Sequence, residues 1–150
     1  MSLDAKHFIG THTPKLDEKG RLFLPAKFRP RLVDGVVLMK GQERCIFGWT
    51  PEAYEGIANR MRELPFTHRD SRNFVRMVTA GTYEDVPDKQ GRVLIPAQLR
   101  EWASLDRDVT VIGVMDRFEI WDSQRWGEFV SAQEEPFADL SDEGGMPPLF

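Results

Sequence analysis

The chain is poor in the residue types that most often carry metal, redox or hydrolytic chemistry. Cys45 is its only cysteine, and its three histidines, His7, His12 and His68, are scattered. A lone thiol excludes an intrachain disulfide and a cysteine cluster, and the histidines lack ligand spacing, so no metal or other cofactor is expected. No apolar run approaches the ~18 residues that cross a bilayer. The opening residues, Met1-Ser2-Leu3-Asp4-Ala5-Lys6-His7, hold no apolar core of the signal-peptide kind. A cytoplasmic chain with no membrane partner is therefore expected. Phosphate-loop, nucleophile-elbow and zinc signatures are missing too. Without carboxylates paired for acid–base work, neither an enzyme nor a small-molecule substrate is expected. Cations stop near the end: from Gln133 onward there are five acidic residues, no Lys or Arg, and the run Gly144-Gly145-Met146-Pro147-Pro148. That composition predicts an acidic, disordered tail over residues 133–150.

What is present is polarised. The 150 residues carry a net charge of −4, which argues superficially against nucleic acid. Yet residues 1–80 hold 14 Lys/Arg against 9 Asp/Glu, and residues 81–150 hold 6 against 15. Such a chain can offer phosphate a basic face despite its acidic total.

It is also duplicated. Asp17-Glu18-Lys19-Gly20-Arg21-Leu22-Phe23-Leu24-Pro25-Ala26-Lys27-Phe28-Arg29 returns 71 positions later as Asp88-Lys89-Gln90-Gly91-Arg92-Val93-Leu94-Ile95-Pro96-Ala97-Gln98-Leu99-Arg100. Counted from Gly10 and Gly81, 8 of 20 paired positions are identical, against roughly one in twenty for unrelated segments, so the two are internal repeats.

Each copy has a local reading. Gly20 and Gly91 suit a positive φ in a tight turn, and Asp17 and Asp88 can fold back onto turn amides. The short apolar run after each Arg predicts a strand, which Pro25 and Pro96 end while opening a short helix. Asp and Arg sit four apart around the turn, so each Arg is expected to emerge beside it, where it can meet an anion. The bland alternative is a local ion pair of Arg21 with Asp17 and of Arg92 with Asp88. The two are compatible, because a carboxylate can hold a guanidinium in place.

Around these motifs, residues 1–9 read as a short polar arm. Val36–Met39 and Cys45–Trp49 are strands, separated by a turn over Gly41–Arg44. Thr50-Pro51-Glu52 starts a helix with Tyr54, Ile57, Ala58 and Met61 at helical spacing. After Pro65, Thr67 or Asp70 is expected to cap a second helix bearing Phe74, Val75 and Val78. The later strands of the second copy align after a one-residue insertion, and Ser123 is expected to cap a final helix. Trp, Phe and Met positions read as core or subunit interface. Each repeat alone is marginal for a core, so the two are expected to pair about a pseudo-twofold axis into one small barrel.

The doubled Asp-x-x-Gly-Arg followed by a Pro-led helix closely resembles the MraZ family, built from two SpoVT-AbrB-type units. The matching residues are Asp17, Gly20, Arg21 and Pro25, with Asp88, Gly91, Arg92 and Pro96, and the similarity runs from about residue 8 to about residue 131. The resemblance implies an α+β fold: two pseudo-twofold related units forming one swapped-hairpin, double-psi-like β-barrel, with short helices and a helical linker. The units would span residues 8–54 and 81–124, the linker 55–80 and a C-terminal helix 125–132. It also implies a homo-oligomeric ring. The function would be that of a bacterial, sequence-specific transcriptional regulator, cytoplasmic and nucleoid-associated. It would bind repeated promoter elements of the division and cell-wall gene cluster that includes its own gene. Double-stranded DNA is the expected partner, with Arg21 and Arg92 as inferred contacts. Lys19, matched by Gln90, and Lys15 are further candidates in the first unit, although Lys15, Lys27, Arg29 and Arg31 read first as solvated cations. A different class of reading is an oligomeric interaction module that binds no DNA; an enzyme at Asp17 and Arg21 ranks last, because an Arg beside Asp17 lowers its pKa and spoils it as a general base.

Overall fold

The structure, a computed structural model, describes residues 2–141, 145–147 and 149–150. The first repeat contributes β1 (Thr11–His12), β2 (Arg21–Phe23), β3 (Val36–Lys40) and β4 (Ile46–Trp49); α1 (Pro51–Arg62) and α2 (Arg69–Ala80) follow. The second contributes β5 (Tyr83–Asp85), β6 (Arg92–Leu94), α3 (Ala97–Trp102), β7 (Val109–Val114) and β8 (Arg117–Asp122), and α4 (Ser123–Ala138) closes the chain.

The repeats exchange strands. A six-stranded antiparallel sheet runs β1-β7-β8-β4-β3-β5, so β1 of the first repeat pairs with β7 of the second, and β5 of the second with β3 of the first. Their last strands, β4 and β8, meet at the centre. The remaining strands, β2 and β6, pair with each other in a separate antiparallel ribbon. Each repeat keeps only one hairpin to itself, β3–β4 or β7–β8, and pairs its other strands with its twin, which is the physical answer to two half-sized cores.

Strand alternation sorts the sheet's two faces. Val36, Leu38, Ile46, Val109, Val111, Phe118 and Ile120 point inward. They meet Leu22 and Val93 of the ribbon and Phe28, Leu99 and Ala103 of the segments after the two prolines, all in one buried cluster. Phe8, Phe28 and Phe118 join there with ring centroids 5.0–5.8 Å apart, worth about 0.5–1.5 kcal/mol per aromatic pair beyond area burial. On the outer face, α1 and α2 cover Val37, Met39 and Trp49 through Tyr54, Ile57 and Val78. At the other end Trp126 and Phe129 of α4 cover Ile112 and Trp121.

Several local expectations are corrected. The arm over residues 1–9 is not uniformly polar: Phe8 is fully buried and exchanges backbone hydrogen bonds with Met115. The first Pro-led segment is not an α-helix but turns ending in a 3₁₀ turn, Arg29–Arg31, because Pro30 removes the amide that would continue a helix. His68, not Thr67 or Asp70, stands before α2, with no side-chain cap. Asp122 caps α4 by accepting from the Arg125 amide at 3.1 Å; Ser123 bonds to Thr110 instead. By contrast, Thr50 caps α1 as expected, accepting from the Ala53 amide. The final helix continues past residue 132 to Ala138, since Ala132, Gln133, Glu134 and Glu135 are good helix formers. The disordered tail expected from 133 is thus helical in its first residues, and its residues 142–144 and 148 lie outside those described. Among the described residues, no helix is long and apolar enough to cross a membrane.

Candidate nucleic-acid interface

The two motif turns are built alike. Gly20 and Gly91 take φ of 83° and 80°, the left-handed conformation that a side chain resists. Asp17 Oδ1 accepts the amides of Lys19 at 2.9 Å and Arg21 at 2.8 Å; Asp88 Oδ1 accepts those of Gln90 and Arg92, each at 2.9 Å. The second carboxylate oxygen takes the guanidinium Nε–H: Arg21 to Asp17 at 2.9 Å, Arg92 to Asp88 at 2.8 Å. The amide of Arg21 above all holds the Asp17 carboxyl below its usual range; desolvation opposes it, and the Arg21 guanidinium and the Lys19 amide add smaller lowering effects. Asp88 is lowered in the same way, by the Arg92 amide first. The ion-pair reading of the motif is therefore correct. It is also a mount: each carboxylate fixes Nε, and no group among the described residues bonds the Nη ends.

The turns are clasped crosswise. Leu24 N–H donates to Gly91 C=O at 2.9 Å, and Ile95 N–H to Gly20 C=O at 2.7 Å. Arg29 donates its Nε–H to Leu24 C=O at 2.9 Å and lies directly over Gly91. Arg100 does the same to Ile95 C=O at 3.0 Å and lies over Gly20. Each repeat thus carries the arginine that seats the other's turn, so Arg29 is not the solvated cation expected of it; nor is Arg31, whose guanidinium carbon lies 4.0 Å from the Phe8 ring centroid.

In the ribbon, Arg21 pairs with Leu94, Leu22 with Val93 and Phe23 with Arg92. Alternation buries Leu22 and Val93 at 0% and 1% exposure and sends Arg21, Phe23, Arg92 and Leu94 to the outer face. The Arg92 guanidinium carbon lies 5.9 Å from the Phe23 ring centroid. Phe23 and Leu94 are 46% and 39% exposed, so Phe23 does not join the core, one of the two places expected for aromatic positions. The missed signal was parity: a residue two from an exposed arginine on a short strand shares its face.

The other candidates divide. Lys19 is exposed in the first turn, with its amide on Asp17. Lys15 is drawn aside into an ion pair with Asp108 of the second repeat. Pro25 is buried and Pro96 half-buried at the strand ends. An open cleft of about 1060 Å³ adjoins the ribbon, lined by Lys15, Arg100 and Arg107 but also by Asp17, Glu18, Glu101 and Asp106. Its mixed charge offers neither a phosphate cradle nor isolated acid–base groups. Among the described residues no group of His, Cys, Asp and Glu could hold a metal ion. Cys45 is buried, and burial raises its thiol pKa far above the usual range, so it is no nucleophile.

Fold and site together define a duplicated α+β module whose β2–β6 ribbon carries two ion-paired arginines on its outer face. The family model described as "MraZ protein, putative antitoxin-like" matches residues 7–77 and again residues 78–144. The chain is 50% identical to the transcriptional regulator MraZ of Micrococcus luteus over 143 residues, covering 95% of this chain and 99% of that one. It is 51% identical over 142 residues to the protein of that name from Salinispora tropica, covering 95% and 99%, and 52% identical over 137 residues to that of a Nocardioides species, covering 91% and 95%. The chain belongs to the MraZ family, whose members are named for transcriptional regulation and not for an enzymatic activity.

Proposed function

We propose that this protein is a sequence-specific, DNA-binding transcriptional regulator that docks the outer face of the β2–β6 ribbon into the major groove. The observation that carries the reading is the pair of guanidiniums on that one face, each fixed through Nε by its own aspartate with the Nη ends unbonded among the described residues. A mounted guanidinium can neutralise phosphate or pair bidentately with guanine O6 and N7, and the major groove is wide enough for a two-stranded ribbon. Relatives about half identical over nearly the whole chain carry the name transcriptional regulator, which supports the reading.

The strand exchange is compatible with a swapped-hairpin SpoVT-AbrB barrel, and we take it as one. The assembly we propose is a homo-oligomeric ring: Phe66, Phe74 and Met77, around and on α2, are large apolar side chains left exposed in a single chain, and a neighbouring copy would cover them. One chain offers few groove contacts. A ring engaging direct repeats in DNA would gain ~10²–10⁴ in avidity. The expected target is the bacterial division and cell-wall gene cluster containing the protein's own gene, bound at repeated promoter elements on the nucleoid.

The test is a mobility-shift titration of the fragment upstream of the protein's own gene against a scrambled fragment, with oligomer mass measured alongside. Wild type should retain only the upstream fragment. Arg21→Ala and Arg92→Ala should each weaken it at unchanged mass. Equal binding by wild type and both variants would refute the site, and a stable oligomer with no affinity for either fragment would favour a DNA-independent interaction module.

A further inference from the structure

The ribbon's outer face is not only cationic. In register, Arg21 stands opposite Leu94 and Phe23 opposite Arg92, so charge and hydrocarbon alternate over four adjacent side chains. Both apolar members are substantially exposed although the face beneath them is fully packed. They are not covering the chain's own core: that face is filled by Leu22 and Val93. Between copies of this chain they would bury two guanidiniums whose only charge partners among the described residues, Asp17 and Asp88, are already spent on Nε. A surface that is polyanionic at its edges and carries apolar groups on its floor matches the alternation. The major groove of DNA is such a surface, and its apolar group is the thymine 5-methyl.

We propose that Phe23 and Leu94 read thymine methyl groups, and so set sequence preference at base pairs beside those contacted by Arg21 and Arg92. This rests on the DNA-binding reading above. Phe23 and Leu94 occupy equivalent positions of the two repeats, yet one is a flat ring and the other a branched aliphatic chain. The two halves of the ribbon therefore present different apolar surfaces, and the recognised sequence is not a palindrome within one chain's footprint. The arginines remain responsible for orientation and for guanine or phosphate contact.

The experiment selects a site from random-sequence duplexes with the full-length protein. It then replaces each thymine of that site singly by deoxyuridine, which removes the methyl group alone. Wild type should lose about fourfold in affinity at each contacted thymine, the value of one buried methyl group. Phe23→Ala should bind the thymine site more weakly and be indifferent to deoxyuridine at one of those positions; Phe23→Leu should keep most of the methyl dependence. Circular dichroism and oligomer mass should match wild type throughout. Selected binding indifferent to every methyl, or a Phe23→Ala protein that changes mass but not methyl dependence, overturns the inference while leaving DNA binding intact. A wild type that selects no sequence overturns the DNA-binding reading, and this inference with it.

Discussion

Replacing Gly91 by Ala should damage the fold much more than the same change at Gly20, although the two occupy one motif position. Both need a left-handed backbone, which costs an alanine ~1–2 kcal/mol. The surroundings differ. A Cβ on Gly91 would stand 2.4 Å from Arg29 Nε and 2.8 Å from its Cδ, whereas one on Gly20 would approach Arg100 no closer than 3.1 Å. Arg29 must leave, and with it goes the bond from its Nε–H to Leu24 C=O; a lost charged hydrogen bond costs ~1.5–3 kcal/mol. Gly91→Ala should therefore cost about 2.5–5 kcal/mol and Gly20→Ala about 1–2. The first is a large share of a stability of ~5–15 kcal/mol. Guanidinium denaturation at matched protein concentration reads the difference. In the double variant Gly91→Ala/Arg29→Ala the clash is gone but the bond is lost once only, so it should be about as stable as Gly91→Ala alone. Equal costs at the two glycines, or a double variant that loses the sum of the singles, would refute the crosswise clasp.

Other outcomes follow from particular contacts. Asp17 and Asp88 have lowered carboxyl pKa values in the folded chain. Their contribution to stability should be complete above the ordinary value of 3.8 and disappear as pH falls through the lower, folded values. In urea melts, Asp17→Asn/Asp88→Asn should flatten that acid limb. The Cys45 thiol should resist a thiol reagent at pH 8 in the native protein and react at once in denaturant, since burial raises its pKa and shields it. Trp102 Nε1–H is shared by Gly41 C=O at 3.0 Å and Cys45 C=O at 3.1 Å, across a turn whose Glu43 and Arg44 have φ of 65° and 62°. Trp102→Phe leaves those carbonyls without that donor and should cost ~1–3 kcal/mol in the same melts.

The repeat made the centre of this protein legible before any coordinates. Two Asp-x-x-Gly-Arg turns in register carried the positive φ at Gly20 and Gly91, the aspartate fold-back and the pairing of each carboxylate with its arginine. All of these are local, decided within five residues. What stayed hidden is set by partners far along the chain. Nothing near Arg29 says that it will lie on Gly91. That contact exists because β2 and β6 pair, and pairing is a property of the whole topology. Phe23 shows a related limit: on a three-residue strand, composition says apolar but only strand parity says which face. Pro30 ends the first Pro-led segment early, only five residues after the proline that opens it. The charge of Lys15 does not say what it pairs with, and Asp108, its partner, lies 93 residues away.

The central claim is that the two mounted arginines are the protein's grip on DNA. Its most direct measurement is the salt dependence of binding to the upstream fragment for wild type and for Arg21→Ala/Arg92→Ala at unchanged oligomer mass. If the claim holds, the double variant binds more weakly at every salt concentration and its log–log slope is shallower, by about one for each phosphate contact removed per bound chain. Superimposable curves for the two proteins would contradict it.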